Sequence, residues 1–165
     1  MCQDVAVGDL EQSVGYVLKQ TATALRSALD AVLRPLDLTV PQYACLELLG
    51  RSPGQSNAEL ARGAFVTRQS MNQVLRGLQD RGLLTRPATA ARGRALPTRL
   101  SPAGERVLRD ASTAVAGVER RMLAALTPDD ERRLLHGLAA CRQALADPEP
   151  VTPGEARLTR PAGVR

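Results

Sequence analysis

Apolar side chains recur at helical spacing through most of this 165-residue chain. From residue 9 to residue 33 they return every three or four positions, and Pro35 follows shortly after the pattern ends. This periodicity, with a proline after it, predicts a long first helix. The apolar seam of that helix consists of Leu18, Ala22, Leu25, Leu29 and Val32.

Two short helices are predicted next, each from a capping box. Thr39 is followed three residues later by Gln42, and Ser56 is followed three residues later by Glu59. In a capping box the side-chain oxygen of the first residue accepts a hydrogen bond from the backbone N–H of the residue three positions later. The side chain of that later residue accepts a hydrogen bond from the backbone N–H of the first. Two closely spaced helices are therefore expected before residue 65.

The following helix, from residue 68 to about residue 81, has two opposite faces. Thr67 is a suitable N-cap, and Gly82 supplies a left-handed residue after the helix end. The apolar face consists of Met71, Val74, Leu75 and Leu78. The opposite face, called the polar stripe below, consists of Gln69, Asn72, Gln73 and Arg76. The stripe holds three amides, one guanidinium and no acid, whereas an ordinary solvated face usually mixes Glu and Lys.

The pattern changes after this helix. Residues 83–87 and 96–100 read as short strands around a basic turn, which predicts a small hairpin. Ser101 and Pro102 then start a second long helix, and Thr127 starts a last one. Two short helices before a strand–turn–strand are the order of a winged helix-turn-helix. The predicted fold is mainly α with a small β-hairpin wing.

Composition and charge narrow the function. Apolar residues make up 44% of the chain but aromatic residues only 2%, so the core must be built from Leu, Val and Ala. Residues 51–110 hold eleven arginines and four acids, a net charge of +7. The rest of the chain holds eleven basic and thirteen acidic residues, a net charge of −2. A basic region confined to the predicted winged domain indicates a polyanion partner.

The polar stripe has the chemistry of a base-reading surface. A helix-turn-helix places its second helix in the major groove, where amides bond adenine and arginine bonds guanine bidentately. Thr67 and Arg68 stand at the helix start, where free N–H groups favour a phosphate, although Thr67 is also a plain cap. Arg92 and Arg94 at the hairpin tip are candidates for the minor groove, or else solvated loop residues.

The chain resembles the MarR family of transcriptional regulators over roughly residues 10–146. The resemblance is carried by the ordered segments LTVPQYACLELLGRSPGQSNAELARGAFVTRQSMNQVLRGLQDRGLLTRP, GRALPTRLSPAGERVL and LTPDDERRLLHGL. It implies a homodimer whose two winged domains read a pseudo-palindromic site in double-stranded DNA. Members of this family usually repress. Many release DNA when a small aromatic or phenolic ligand binds, and others respond to cysteine oxidation.

The resemblance also implies a domain organisation. A single domain of residues 9–146 would contain dimerisation helices at both ends and a winged helix-turn-helix between them. The predicted limits are a flexible N-terminus 1–8, dimerisation helices 9–35 and 102–146, a DNA-binding region 39–100, and a disordered Pro-, Gly- and Arg-rich tail 147–165.

One position departs from the family pattern. The family's wing commonly carries an Asp that holds the following Arg in place. Here Arg92 stands where that acid would be, followed by Gly93 and Arg94. Either Arg94 is less firmly positioned or Arg92 supplies a further phosphate contact.

The effector site is implied by the resemblance alone. The resemblance implies a pocket near the first, second and fifth helices, and the chain's two tyrosines, Tyr16 and Tyr43, are candidate ligand contacts or core residues. Cys2, Cys45 and Cys141 leave thiol-based sensing as an alternative. The redox-responsive members carry their sensing cysteine in the first helix, and residues 9–33 contain none.

Other classes of protein are disfavoured. His136 is the only histidine and no motif supplies it with a nucleophile, so neither an enzyme nor a His-based metal site is expected, and no cofactor is implied. No apolar run approaches the roughly 18 residues that span a bilayer, and the acidic N-terminus does not resemble a signal peptide. We expect a cytoplasmic bacterial protein. The alternatives are a non-specific DNA-associated protein and a protein-interaction module that reuses the winged fold.

Overall fold

The computed structural model describes residues 13–85 and 98–146, and these form a mainly helical fold with one small hairpin. The elements are α1 (Val14–Leu33), a 3-10 turn (Arg34–Leu36), α2 (Val40–Arg51), α3 (Asn57–Gly63), α4 (Arg68–Asp80), β1 (Leu84–Thr85), β2 (Arg99–Leu100), α5 (Pro102–Leu123) and α6 (Pro128–Ala146). The predicted fold class and element order are confirmed. The predicted first helix begins at residue 9, and its first four residues lie outside the described ones.

Both predicted capping boxes are formed. The backbone N–H of Thr39 donates to the Gln42 side chain at 2.9 Å, and the Thr39 hydroxyl accepts from the Gln42 backbone in return. Ser56 and Glu59 pair in the same way, with the Ser56 backbone N–H 2.7 Å from the Glu59 carboxylate. The Ser56 hydrogen bonds lower the pKa of the Glu59 carboxyl group. The starts of α2 and α3 are therefore determined locally.

The core of the winged domain is aliphatic, as the composition requires. α2 packs against both α4 and α5, and α3 packs against α4. Each of these helices contributes fully buried side chains. The largest, together with Leu33 of α1, are Leu46, Leu49, Leu60, Met71, Leu78 and Cys45.

The hairpin is tied to the start of α5 by a close backbone approach. The Ser101 hydroxyl donates to the Gly82 carbonyl at 2.6 Å and accepts from the Gly104 N–H at 3.0 Å. Gly82 has a φ of +68°, the left-handed conformation that its place after α4 requires. A Cβ added to Gly104 would lie 2.1 Å from the Leu83 carbonyl oxygen, so only glycine fits there. The end of α4 is thereby fixed against the wing.

The two strands pair antiparallel, with Leu84 opposite Leu100 and Thr85 opposite Arg99. This is the base of the predicted wing. The predicted strand residues 86–87 and 96–97, and the basic tip between them, lie outside the described residues.

The chain divides into two compact units after Ala124, and α6 belongs to the second. None of the described residues 128–146 of α6 is buried. In the first unit, the N-terminal half of α1 also exposes large apolar side chains, including Val14 and Val17. Among the described residues, no helix is both long enough and apolar enough to cross a membrane.

Candidate nucleic-acid interface

Helix α4 separates its two faces as the sequence predicts. Met71, Leu75 and Leu78 are buried in the core, whereas all four residues of the polar stripe are exposed. Asp80 is also exposed and lies one turn beyond Arg76 on the same side of the helix. Because a carboxylate repels phosphate, the surface suited to DNA covers the first three turns of α4.

The start of α4 is capped by Thr67. Its hydroxyl oxygen accepts from the Ser70 backbone N–H at 3.1 Å, and the hydroxyl donates to Ser70 Oγ at 2.9 Å. The capping role of Thr67 is therefore confirmed, and its phosphate contact stays a prediction. Arg68, the first residue of the helix, is exposed beside it.

Asn72 is oriented by a neighbour that sequence analysis did not single out. The side-chain amide of Asn57, at the start of α3, donates to Asn72 Oδ1 and to the Arg68 carbonyl, the latter at 3.4 Å. The Asn72 NH₂ group remains available as a donor, and its oxygen has a second lone pair. Asn57 thus links the two helices of the helix-turn-helix at the polar stripe. The SNAE capping box places Asn57 in the first turn of α3, but nothing in the sequence shows that it reaches residue 72.

A second unanticipated residue, Arg81, joins the other end of α4 to the turn after α1. Its guanidinium donates to the carbonyl of Asp37 and, at 3.3 Å, to that of Leu36. Its distance to the Asp37 carboxylate is 3.9 Å. Charged donors bind carbonyls more firmly than neutral ones do. The orientation of α4 is therefore coupled to the C-terminal end of α1.

A polar cavity of about 570 Å³ lies beside this link. It is bounded by the C-terminal end of α1, the turn after it, the start of α2 and the last turns of α4. Arg34 and Arg81 contribute positive charge to its wall, and Asp30 and Asp37 contribute negative charge. A second cavity, of about 250 Å³ and more apolar, lies between α1 and α5.

The two tyrosines named as candidate ligand contacts are not brought together at either of these cavities. Tyr16 is 38% exposed on α1. Tyr43 is partly buried beside Glu47 and Ser112, and burial raises the pKa of its hydroxyl while a hydrogen bond from Ser112 opposes that shift. Ser112 Oγ also lies 3.2 Å from Glu47 Oε2. Tyr43 therefore belongs to a polar contact between α2 and α5, and its role in ligand binding stays a prediction.

The cysteines differ in environment. Cys45 is fully buried in α2, and burial raises the pKa of its thiol to about 12. A thiol that stays protonated is a poor nucleophile. Cys141 is exposed on α6. Cys2 lies outside the described residues, as do the wing residues Arg92 and Arg94.

Metal chemistry has no support in the described part of the chain. Residues 13–85 and 98–146 contain no cluster of three or more His, Cys, Asp or Glu side chains that could hold an ion. His136 is exposed on α6.

Comparison with known proteins places this geometry among DNA-binding regulators. A family model described as "MarR family" matches residues 36–95. The HTH-type transcriptional repressor Rv2887 of Mycobacterium tuberculosis is 44% identical over 119 residues, which cover 72% of this chain and 86% of the repressor. The structure of Rv2887 with salicylic acid has a TM-score of 0.66 and 40% identity, covering 85% of this chain and 99% of that one. Its structure with DNA has a TM-score of 0.65 and 37% identity, covering 78% and 97%.

Proposed function

Because this chain belongs to the MarR family of transcriptional regulators, which bind DNA and are not enzymes, we propose that it is a homodimeric repressor reading a pseudo-palindromic operator with one α4 helix per half-site. One observation carries the proposal. The polar stripe is exposed along α4, while the opposite stripe is buried. Since such a regulator works on the chromosome, we place it in the bacterial cytoplasm.

The residues of α4 divide into base-reading and phosphate-binding groups. Gln69, Asn72 and Gln73 offer amides that match adenine in the major groove, and Arg76 offers a guanidinium that matches guanine. Phosphate contacts come from Arg68 and from the backbone N–H groups at the helix start. Arg92 and Arg94 of the wing extend the contact into the adjacent minor groove.

Dimerisation is supported by apolar surface that the single chain leaves in water. Leu135 and Leu145 of α6 are 72% and 84% exposed, and Val14 of α1 is 76% exposed. On α6 these leucines share one side of the helix with the exposed Leu134 and Leu138, and an exposed apolar patch marks an interaction site. We assign these helices to the contact with a second copy, which sets the spacing between the two α4 helices.

The effector is an aromatic acid, and the cavity of about 570 Å³ is its proposed site. Rv2887 has been solved with salicylic acid and with p-aminosalicylic acid, both aromatic carboxylates. Arg34 and Arg81 supply guanidinium groups in the cavity wall. A carboxylate bound to Arg81 would compete with the carbonyls of Leu36 and Asp37, which hold the end of α4. Neither Tyr16 nor Tyr43 lines this cavity, so a ligand contact by either tyrosine would require a separate site.

The first test is selection of bound sequences from a random duplex pool at about 150 mM salt, because non-specific binding weakens as salt rises. The expected product is an inverted repeat with half-sites about one helical turn apart. Added salicylate should then release the selected duplex. Retention of DNA without a recovered motif would favour the non-specific DNA-associated protein, and no retention would favour the protein-interaction module.

The second test removes single side chains from the stripe. Gln73→Ala or Arg76→Ala should each cost about 1–3 kcal/mol on the selected operator and relax its specificity. Arg51→Ala is a matched control, because Arg51 is paired with Glu47 on α2 at 2.8 Å and does not belong to the stripe. If both stripe variants discriminated operator from scrambled duplex as well as Arg51→Ala does, α4 would not be the reading helix.

A further inference from the structure

The turn between α3 and α4 contains the only phenylalanine of the chain. Phe65 is 90% exposed and has a φ of 55°. Its N–H donates to the Arg62 carbonyl at 3.2 Å, and the next N–H, of Val66, donates to the Ala61 carbonyl at 3.0 Å. These bonds close the C-terminal end of α3 with Phe65 as its left-handed residue.

Phenylalanine is an unfavourable choice for this position. A left-handed residue after a helix is usually glycine or asparagine, because a Cβ is crowded there and a bulky side chain is rare. An aromatic ring in water also contributes no burial to compensate. Neither the backbone nor the core of this chain therefore explains why residue 65 is aromatic.

Asp37, the other non-glycine residue with positive φ among the described residues, shows what compensation within the chain looks like. Aspartate tolerates the left-handed conformation better than bulky residues do. Its carbonyl is also held by the Arg81 guanidinium, whose charge lies near its carboxylate. Phe65 has no such explanation, and residues held in sparsely populated conformations cluster at functional sites. The contact that favours its ring should therefore lie beyond the described residues 13–85 and 98–146.

The position of Phe65 indicates duplex DNA as the partner. Phe65 comes two residues before the Thr67 cap and therefore lies next to the N-terminal end of α4. The N-terminal residues of a recognition helix are the ones that contact base edges. Arg62 and Arg68 are exposed on either side of Phe65 in the sequence. Cationic neighbours favour a polyanion over an apolar protein surface. The duplex also carries apolar groups that an aromatic ring can contact, namely deoxyribose and the thymine methyl.

We propose that Phe65 is a DNA contact whose ring packs on deoxyribose or a thymine methyl group beside the half-site. This inference rests on the proposed function of α4 as the reading helix. It adds an uncharged contact at the turn, separate from the polar stripe.

The test pairs protein stability with DNA affinity. Phe65→Asn and Phe65→Gly relieve the backbone, so each should raise Tm by about 2 °C. The same variants should bind the selected operator about tenfold more weakly, because the ring no longer leaves water on binding. Phe65→Tyr keeps an aromatic ring and should bind more tightly than either. A structural role alone would not lower affinity while raising stability.

Salt dependence separates this contact from a phosphate contact. The slope of log affinity against log salt counts neutralised phosphates, so it should be the same in Phe65→Asn as in the parent chain. A slope reduced by about one would contradict the apolar contact, as would operator affinity within twofold of the parent for both Asn and Gly variants. If the Asn variant bound normally and only the Gly variant lost affinity, added backbone freedom would explain the loss and the inference would be wrong.

Two further binding measurements complete the test of Phe65. An operator with deoxyuridine in place of thymidine lacks the methyl group. If the parent chain binds this operator more weakly than the thymidine operator but Phe65→Asn binds both equally, the ring contacts the methyl group. If both proteins bind the two operators equally, the ring contacts the sugar. Arg76→Ala is measured in parallel. Lost discrimination in Arg76→Ala with parental binding by the Phe65 variants would refute this inference alone. Parental discrimination in both Arg76→Ala and Gln73→Ala would refute the reading helix itself.

Discussion

Helices α4 and α6 are both amphipathic, but of the two only α4 has buried residues among those that the structure describes. α4 buries Met71, Leu75 and Leu78 within the chain and exposes only polar groups on its far side. α6 exposes leucines along its length, and none of its described residues 128–146 is buried. A helix whose apolar stripe is already covered can present a polar stripe to DNA. A helix whose apolar stripe is uncovered requires another polypeptide.

The comparison explains why the chain carries long helices beyond its winged domain. The winged domain has its own aliphatic core, so its fold does not depend on the apolar surface of α6. In a monomer that surface would promote non-specific association, because large exposed apolar patches bind one another in water. In the proposed homodimer it would set the distance between the two α4 helices, which a palindromic operator demands.

The largest expected effect comes from placing charge on the leucine side of α6. The double variant Leu135→Glu/Leu138→Glu should raise the dimer dissociation constant by at least about a hundredfold, because two carboxylates would lose their water in the interface. Operator binding should be lost with the dimer. Sedimentation equilibrium and operator titration measure the two effects. Ala140→Glu puts the same charge on the opposite side of α6 and should leave the dimer intact.

A dimer that persisted in the double variant at parental concentrations would place the interface elsewhere. If Ala140→Glu dissociated the dimer equally, any added charge on α6 would be harmful. The assignment of its leucine side to the second copy would then fail.

A smaller effect on stability is expected when one glycine in each of the two regions is replaced by alanine. Gly104→Ala should lower the free energy of unfolding by about 2 kcal/mol, because the new Cβ would strike the Leu83 carbonyl oxygen and force the wing away from α5. In α6, no atom of the described residues lies within 4 Å of a Cβ added to Gly137. Gly137→Ala should therefore raise stability by about 0.8 kcal/mol, through helix propensity alone. Urea unfolding monitored by circular dichroism measures both, and equal effects would contradict the close approach at Gly104.

The sequence was sufficient wherever a structure depends on near neighbours. The caps at Thr39, Ser56 and Thr67 follow from residues three positions apart, and the opposite faces of α4 follow from helical periodicity. The polar stripe could be predicted for the same reason. Its function as a base-reading surface was an inference from side-chain chemistry and from the order of elements.

What the sequence could not show depends on contacts between distant residues. Arg81 reaches carbonyls more than forty positions earlier, and Asn57 reaches Asn72 across the helix-turn-helix. Both are polar residues on helices, with no local pattern that marks a tertiary partner. The positive φ of Phe65 was equally hidden, because nothing in the sequence of the turn requires a left-handed phenylalanine. These three residues determine how α4 is held and what surrounds its start, so the finer geometry of the site required the structure.

The smallest effect concerns Cys45 in the core of the winged domain. In a Cys2→Ser/Cys141→Ser background, a thiol reagent at neutral pH should modify the buried Cys45 only after unfolding. Burial raises the pKa of Cys45 from 9.0 to about 12, so the folded state keeps a proton that the unfolded chain loses. The contribution of the protonated Cys45 thiol to the free energy of unfolding is fully present below about pH 9. It should decline by about 1.4 kcal/mol per pH unit above that pH. Cys45→Ala should remove that part of the pH dependence in denaturant titrations at pH 8 to 10. Rapid labelling of Cys45 in the folded dimer would show that α2 opens, and would restore thiol sensing as an alternative to a small-molecule effector.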